Sequence, residues 1–337
     1  MSNPVLIEVW RGPLIESAHT GALAICGTDG RPLLALGDID RPIFPRSAIK
    51  ALQCLPLIES GAADRFRFSL PEIALACASH SGTDRHTALA EGMLARIGLS
   101  EGALGCGCHE PQSAAAARQL VLHGRRPSQL HNNCSGKHAG MLATAVHLGE
   151  AVAGYYNPDH PVQQRVHKTL SEITGLPLGR DVEGIDGCSV PNWAMPLGAL
   201  ARAFAQIVTG DGLGPVRRKA VERIVEACWT EPELVAGAGR ADTVVMAKLP
   251  GRVFMKTGAE GVYCGAFPQS GLGFALKIDD GAKRASAGCA IAIVEHFIPE
   301  ARGLVDKSTL TTWRGLPVGH IRSSGMLDRA LERIKLG

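Results

Sequence analysis

The sequence predicts a mixed α/β fold of the α+β kind, in which an antiparallel sheet flanked by terminal helices carries an inserted all-helical lobe. Three observations lead to this expectation. Strand-like patterns occupy about the first forty residues, helical patterns fill the middle of the chain, and short strands return from about residue 252. Because the two ends share a strand pattern that the middle lacks, we expect them to pair into one sheet.

The predicted boundaries follow these changes of pattern. Residues 1–45 and 250–337 form the predicted sheet lobe, and residues 46–249 form the predicted helical lobe. Clefts between such lobes are natural sites for small molecules, so we expect the active site between them.

The predicted strands are short and are bounded by glycine or charged turns. The turn signal Thr28-Asp29-Gly30 separates two strands near the start of the chain, and Asp279-Asp280-Gly281 ends the last predicted strand. The strand patterns cover residues 6–14 with a break at Arg11-Gly12, then 19–26, 33–36, 252–256, 261–267 and 273–278.

The helical patterns show apolar residues at intervals of three and four. One stripe begins after Pro45 and closes at Gly61, and a buried helix and a terminal amphipathic helix are expected after the last strand. The other expected helices cover residues 71–78, 84–97, 111–123, 135–148, 160–174, 193–209 and 214–230, and the last two cover 289–297 and 326–336.

Composition excludes several classes of protein. The chain has 337 residues, of which 45% are hydrophobic and 20% charged, and this excludes wholesale disorder. A net charge of +3 gives no electrostatic case for a nucleic-acid partner. No apolar run approaches the roughly 18 residues of a membrane span, and the first residues lack the basic region of a signal peptide. We therefore expect a cytoplasmic protein whose ten cysteines are reduced thiols.

The pair Ser47 and Lys50 is the leading candidate for nucleophilic chemistry. A serine attacks well only when a nearby base accepts its proton, and residues i and i+3 of a helix share one face. The positive end of the helix dipole favours a neutral lysine and an ionising serine. A solvated helix start would produce the same pattern, so the spacing alone leaves both interpretations open.

Two further segments could complete such a site. Lys256-Thr257-Gly258 lies in the returning strands, where Lys and Thr can bind a carboxylate and glycine lets a substrate approach the backbone. Ser79-His80-Ser81 follows an apolar helix, and a hydroxyl there could relay a proton. With Ser47 and Lys50 they are similar to the Ser-x-x-Lys, Ser-x-Asn and Lys-Thr-Gly set of serine β-lactamases and penicillin-binding proteins. Ser81 stands where Asn is usual, so a β-lactamase activity is not favoured.

A cluster of metal-ligating residue types lies in the helical region. Cys134 and Lys137 are spaced so that both side chains can converge on one point, and Cys188 follows Asp186 further along the chain. Thiolates select soft metals, of which Zn²⁺ is the common one. Buried cysteines also act as small hydrophobic residues, so a structural thiol cluster is the alternative. Cys106-Gly107-Cys108-His109 is a rival cluster that would need distant ligands, whereas four other cysteines on apolar helical faces are expected in the core: Cys54, Cys77, Cys228 and Cys289.

Motifs spread along nearly the whole chain carry a more specific resemblance. They are Arg11-Gly12 with Glu16-Ser17 and His19, Pro45-Arg46-Ser47 with Lys50, residues 78–82, Cys106-Gly107 with His109, residues 131–138, Asp186-Gly187-Cys188, and Lys256 with Gly258, Glu260 and Gly261. Together they resemble the rhizobial-type (class 3) L-asparaginase family, and the Cys134 to His138 block is the most specific part. The resemblance implies hydrolysis of L-asparagine to L-aspartate and ammonia, a fold similar to serine β-lactamases and glutaminases, and a homodimer.

The resemblance also strengthens the assignment of roles. Ser47 becomes the favoured nucleophile with Lys50 as its base, Ser79 passes a proton to the departing ammonia, and Lys256 tunes that network. The backbone N–H of Ser47 is an expected oxyanion donor. The expected substrate-binding residues are His80, Asp186, Thr257 and Gly258, and the expected Zn²⁺ ligands are Cys134, Lys137 and Cys188.

Three alternatives stay open at this stage. A zinc-dependent amidohydrolase would use metal-bound water as the nucleophile. A glutaminase or a β-lactamase-like serine hydrolase would keep the Ser–Lys pair but take another substrate. A non-catalytic sensor on a penicillin-binding scaffold ranks last, because the sequence shows no membrane anchor or sensor linker.

Overall fold

The computed structural model describes residues 2–305 and 309–334. The mixed α/β architecture with an antiparallel sheet is confirmed. The strands are β1 (Val5–Arg11), β2 (Leu14–Cys26), β3 (Pro32–Leu36), β4 (Glu183–Ile185), β5 (Pro191–Trp193), β6 (Phe254–Thr257), β7 (Val262–Phe267), β8 (Leu272–Ile278), β9 (Thr309–Thr311) and β10 (Pro317–Ser323).

Most of the expected helices are present, within a few residues of their predicted ends. The helices are α1 (Lys50–Gln53), α2 (Leu55–Glu59), α3 (Ala62–Arg65), α4 (Leu70–Ala76), α5 (Asp84–Arg96), α6 (Ala114–Leu122), α7 (Ser135–His147), α8 (Pro161–Thr174), α9 (Leu197–Thr209), α10 (Pro215–Thr230), α11 (Pro232–Val235), α12 (Ala241–Lys248), α13 (Lys283–Phe297) and α14 (Gly325–Glu332). The predicted terminal helix extends to residue 336, and its last two residues lie outside the described residues.

The main sheet joins the two ends of the chain, as the strand pattern predicts. Its order is β6-β7-β8-β2-β1-β10-β9, and β3 pairs with β2. Strand β1 lies between β2 and β10, with Glu8 opposite both Ala18 and Arg322. All of these pairings are antiparallel, so residues from the start and the end of the sequence share one set of ladder hydrogen bonds.

Helices cover the central strands on both faces. Every residue of β7 is buried, which an antiparallel strand shows only when neither face meets solvent. Helix α9 packs on β2, β7 and β8, while α13 packs on β1, β7, β8 and β10. Gly273 permits the first of these contacts, because a methyl group there would collide with the Ala201 carbonyl oxygen of α9.

The chain divides into two compact units. The sheet unit comprises the described parts of residues 1–48, 195–209 and 251–337, and the helical unit comprises 49–194 and 210–250. The segment 195–209 therefore differs from the predicted division, which placed it in the helical lobe. The physical reason is that α9 buries its apolar stripe on the sheet.

Helix α7 forms the centre of the helical unit. Eleven consecutive residues from Ser135 to Ala145 are buried, because α4, α5 and α8 all pack around this helix. Gly136 allows α4 to come close, since a methyl group at that position would collide with the carbonyl oxygen of Leu75. The start of α7 is thereby held next to the end of α4, where the Ser79 loop begins.

Several short elements lack a clear signal in the sequence. Strands β4 and β5 form a separate two-stranded sheet, and β9 and β10 extend the main sheet. Both β5 and β10 begin with proline, a residue that argues against a strand when only the sequence is known. The strands form nevertheless, because proline is tolerated at the first position of a strand. No helix in residues 2–305 or 309–334 is both long enough and apolar enough to cross a membrane.

Candidate active site

Within the sheet unit, Ser47 lies on a short helical turn with an unusual start. A 3₁₀ turn spans Arg46–Ile49, and Ala48 is fully buried while Ser47 is half-buried. Arg46 has a φ of +53°, a left-handed conformation that costs a non-glycine residue about 1–3 kcal/mol. Such strain clusters at functional sites, and here it immediately precedes the predicted nucleophile.

The Lys256-Thr257-Gly258 segment lies next to the chain that leads into Ser47. A methyl group at Gly258 would be 2.8 Å from the Pro45 carbonyl oxygen, so only glycine fits between them. Lys256 is fully buried on β6 and its Nζ donates to the Thr257 carbonyl oxygen at 3.0 Å. Two predicted catalytic segments are thus adjacent within the sheet unit.

Within the helical unit, the amine of Lys50 meets the hydroxyl of Ser79. Lys50 is fully buried, and its Nζ lies 3.1 Å from Ser79 Oγ. The same amine donates to the carbonyl oxygens of Ala78 at 2.5 Å and Asn133 at 3.3 Å. The two carbonyls orient the amine, and the hydroxyl completes a contact that can carry a proton.

The side chain of His80 is engaged within the loop that carries Ser79. Its Nδ1 accepts from the Gly82 backbone N–H at 3.1 Å, so the ring proton is on Nε2. Nε2 lies 2.9 Å from Ser135 Oγ, which donates in turn to the Leu130 carbonyl oxygen. Both ring nitrogens are used and the residue is fully buried. The ring therefore holds the Ser79 loop, whereas the sequence predicted a substrate-binding residue.

The charge state of His80 follows from these contacts. Burial is the main cause that holds the pKa of His80 well below its ordinary value, and the nearby His86 and Lys50 add to it. The rings of His80 and His86 are stacked with centroids 4.9 Å apart. A proton added to either ring would therefore place a positive charge directly beside the other ring.

Cys134, Lys137 and Cys188 come together as the sequence predicts. All three side chains are buried, and Lys137 Nζ donates to Cys188 Sγ at 3.2 Å. A hydrogen bond from Cys134 holds the pKa of Cys188 well below its ordinary value, and the Lys137 charge lowers it further. That hydrogen bond and burial raise the pKa of Cys134 to about 12. Negative charge on this pair is therefore favoured on Cys188 over Cys134.

The charge of Lys137 is balanced by its neighbours. Burial opposes the ammonium form, but Cys188, Cys134 and Asp186 outweigh it and raise the pKa of the amine. Asp186 is half-buried in a turn, where its carboxylate accepts from the Gly187 N–H at 2.7 Å. The half-buried carboxyl group of Asp186 and the two buried cysteines therefore favour a positive charge on Lys137.

The donor set at this cluster is chemically suited to a soft metal. Two sulfurs and one nitrogen converge, and thiolates are ligands that Zn²⁺ accepts, whereas the Lys137 amine can bind a metal only after it loses its proton. Across the described residues, no group of three or more His, Cys, Asp or Glu side chains is placed to hold a metal. A metal here would thus depend on the amine of Lys137 as its third protein ligand.

The rival cluster at residues 106–109 does not form. Cys106 is buried whereas Cys108 is exposed, and burial raises the pKa of Cys106 to about 12. His109 uses both ring nitrogens, with Nδ1 at 2.6 Å from the Glu110 carbonyl oxygen and Nε2 accepting from the Asn133 N–H at 2.9 Å. The four cysteines expected in the core are buried, and none of the ten cysteines, all of which lie in the described residues, forms a disulfide.

Asn133 is a site residue to which the sequence assigned no role. Its carbonyl oxygen accepts from Lys50, and its side-chain Oδ1 lies 3.1 Å from Cys134 Sγ. One residue thus links the Lys50–Ser79 contact with the thiol cluster. Its place in the motif of residues 131–138, directly before the most specific block, was the available signal.

A second group missed by the sequence lies beside the thiol cluster. The Tyr155 hydroxyl accepts from the Gly105 N–H at 2.9 Å and therefore donates to His138 Nδ1, which lies 2.5 Å away. The ring proton of His138 is consequently on Nε2, a buried atom that has no hydrogen-bond partner among the described residues. Nothing in the local sequence joins residues 105, 138 and 155.

The other family motifs have structural roles in the sheet unit. Arg11 and Glu16 form an exposed ion pair of 2.7 Å across the β1–β2 hairpin. His19 is buried on β2, and its Nδ1 lies 2.6 Å from an Asp280 carboxylate oxygen. These contacts tie strands and turns together.

Several solved structures are similar to this chain. The Mglu protein in its native form has 15% sequence identity and a TM-score of 0.47, with 82% of this chain and 64% of that chain covered. A β-lactamase from Mycobacterium bovis has 14% identity and a TM-score of 0.39, covering 82% and 94% respectively. The D-alanine carboxypeptidase AmpC from Burkholderia cenocepacia has 12% identity and a TM-score of 0.39, covering 79% and 90%. The chain thus spans less than two thirds of the length of Mglu.

Comparison by sequence gives a family. A search of curated proteins finds no significant match to the chain. The family model described as L-asparaginase II matches residues 7–323, which is nearly the whole sequence and includes every motif discussed above. The chain therefore belongs to the L-asparaginase II family, as its motifs predict.

Proposed function

We propose that this asparaginase-family hydrolase cleaves the side-chain amide of L-asparagine to give L-aspartate and ammonia. The observation that carries the proposal is the buried amine of Lys50, which contacts Ser79 Oγ at 3.1 Å and follows Ser47 by three residues. A serine hydroxyl becomes an effective nucleophile only with such a base. Family membership supplies the amide-hydrolysing class.

The proposed reaction begins with attack on the amide carbon. Ser47 Oγ forms a bond to the side-chain carbonyl carbon of the substrate while its proton passes to Lys50 Nζ. The negative charge that develops on the carbonyl oxygen is stabilised by donors that include the Ser47 backbone N–H. Collapse of this tetrahedral species breaks the C–N bond and leaves an ester between Ser47 and the aspartyl group.

The departing nitrogen needs a proton to leave as ammonia. We assign that delivery to Ser79, whose hydroxyl receives a proton from Lys50 across their 3.1 Å contact. Lys256 tunes this network through its positive charge. A water molecule then attacks the ester, which releases L-aspartate and returns the proton to Ser47.

The zwitterionic end of the substrate needs partners of both signs. Asp186 is the proposed partner of the α-ammonium group, while Thr257 and Gly258 are the proposed contacts of the α-carboxylate. Cys134, Lys137 and Cys188 would hold Zn²⁺, which supplies positive charge for substrate binding when it is bound. The Ser47 and Lys50 pair supplies the nucleophile without it.

The oligomeric state and the binding partners are further proposals. The motif resemblance implies a homodimer, which light scattering of the purified protein tests. A small molecule is the expected substrate, and neither a nucleic acid nor a membrane is an expected partner.

Ammonia release from L-asparagine by purified protein, with Ser47→Ala as the variant, tests the proposal. We expect activity in the wild type and a loss of several orders of magnitude in kcat in the variant. The Ser47 hydroxyl and the Lys50 amine act as one catalytic unit, and removing one member of such a unit can cost about as much as removing all of it. Glu91→Gln, an exposed position on α5, serves as the matched control and should keep full activity.

The alternatives predict different results in the same assay. A zinc-dependent amidohydrolase would keep at least a tenth of its turnover in Ser47→Ala and lose it on metal removal. A glutaminase or a β-lactamase-like hydrolase would prefer L-glutamine or a β-lactam over L-asparagine. A non-catalytic sensor would release no ammonia from any of them.

A further inference from the structure

The loop that carries Ser79 is enclosed by a segment distant in sequence. The backbone N–H of Ser79 donates to the Val235 carbonyl oxygen at 2.8 Å, and its carbonyl oxygen accepts from Arg240 Nη1 at 2.7 Å. Ser81 Oγ donates to the Ala236 carbonyl oxygen at 2.8 Å. Residues 235–240, which we call the bracket, therefore hold both backbone polar groups of Ser79.

The close fit of the bracket depends on a glycine. Gly237 has a φ of +134°, a conformation that residues with a side chain rarely adopt. A methyl group at this position would also collide with Ser81 Oγ. The bracket can therefore approach the Ser79 loop only with glycine at this position.

Arg240 is the charged end of the bracket and is itself held in place. It is the residue immediately before α12, and its Nη1 also contacts Gln112 Oε1 at 3.3 Å and the Ala236 carbonyl oxygen at 3.4 Å. Hydrogen bonds with a charged donor are roughly twice as strong as neutral ones. The 2.7 Å contact to Ser79 is the shortest of the three.

We propose that Arg240 is a positioning residue for catalysis, which acts by fixing Ser79 so that its hydroxyl stays within reach of Lys50. The inference rests on the proposed function, in which Ser79 delivers a proton to the leaving nitrogen. With the N–H and the carbonyl oxygen of Ser79 both held, the backbone fixes the point from which Oγ reaches Lys50 Nζ. Arg240 contacts neither of those two atoms, so its effect passes through the Ser79 backbone.

A double-mutant cycle with Arg240→Gln and Ser79→Ala tests this route. We expect Arg240→Gln to lower kcat about 10- to 100-fold, since a misplacement of about 1 Å can cost 10²-fold, and to leave KM within about threefold. In the Ser79→Ala background the same substitution should lower kcat no further, because the hydroxyl it positions is gone. Arg240→Lys, which keeps a charged donor, should recover part of kcat.

The matched control is Arg223→Gln. Arg223 Nη2 also donates to a backbone carbonyl oxygen, that of Phe68 at 3.3 Å, and Nη1 pairs with Asp64. Its loss should therefore leave kcat and the pH profile unchanged. Circular dichroism of each variant reports whether the helical content is kept.

Three results would overturn the inference. In the first, Arg240→Gln and Ser79→Ala lower kcat multiplicatively, so that Arg240 acts independently of the hydroxyl. In the second, Arg240→Gln keeps wild-type kcat while Ser47→Ala is inactive, so that the proposed function holds and the positioning role fails. In the third, Arg240→Gln and Arg240→Lys lose kcat and helical content equally, which marks a structural role. Full activity in Ser47→Ala would instead reject the proposed function.

Discussion

Acidification is expected to destabilise the protein through His80, whose ring is locked in its neutral form. Nδ1 accepts a hydrogen bond from the Gly82 N–H, so a proton on Nδ1 would place two N–H groups against each other. Burial and the stacked His86 ring oppose the charge further, and they hold the pKa of His80 well below its ordinary value. In the unfolded chain the ring is free to take up a proton.

The size of the effect follows from this difference in proton uptake. A folded-state pKa below the unfolded value means that the unfolded chain binds more protons, so stability is kept above the unfolded pKa and is lost as pH falls. With an unfolded pKa of about 6.5, a histidine that stays neutral in the fold loses about 2 kcal/mol of stability between pH 7.5 and 5. Folded proteins typically have a free energy of unfolding of about 5–15 kcal/mol, so this loss is about a tenth to two fifths of the total.

Urea unfolding followed by circular dichroism at pH 7.5 and pH 5 measures this loss. His80→Gln removes the titrating ring, so its free energy of unfolding should fall by about 2 kcal/mol less than that of the wild type over the same interval. The control is His123→Gln, which makes the same substitution at an exposed histidine. An equal pH-dependent loss in wild type and His80→Gln would refute the reasoning.

Two further predictions concern the remaining parts of the site. Gly258→Ala should lower the free energy of unfolding by about 1–3 kcal/mol, because its methyl group would lie only 2.8 Å from the Pro45 carbonyl oxygen. The control Gly92→Ala adds a methyl group at an open position of a helix and should not destabilise the protein. Urea titration of both variants checks this, and an unchanged midpoint in Gly258→Ala would contradict it. Protein purified without chelator should hold about one equivalent of zinc, and both acidification and Cys188→Ser should remove it, because thiolate and amine ligands compete with protons. Elemental analysis measures the zinc, and less than about a tenth of an equivalent in fully active wild type would end the metal proposal.

The sequence predicts the parts of the site that are encoded locally. The Ser47 to Lys50 spacing lies on one short stretch of chain, and the Cys134 to Lys137 spacing lies at the start of one helix, so both are visible in the sequence as candidates. The family resemblance, and not the spacing, favoured their functional interpretation. The pairing of the two chain ends also follows from local strand patterns, because only the ends show them. Each of these features needs no knowledge of which distant segment packs against it.

Other features depend on contacts that a linear pattern does not contain. Helix α9 has a strong amphipathic pattern, but that pattern does not specify whether it covers the sheet or a helical neighbour. Arg240 acts on a backbone carbonyl oxygen, which every residue type possesses, so no motif signals its target. His80 has the residue type of a ligand-binding group, and only the positions of Gly82 and Ser135 show that its nitrogens are already used.

The pairing of β1 with both β2 and β10 has a consequence for biosynthesis. Strand β1 ends at Arg11, and its second partner begins at Pro317, about 300 residues later. At about 5–20 residues per second, translation needs on the order of 15–60 s to produce that partner. During this time one edge of β1 is available to other chains, and unpaired strand edges promote aggregation. High-level expression should therefore benefit from slower synthesis or from chaperones that cover the emerging N-terminal hairpin.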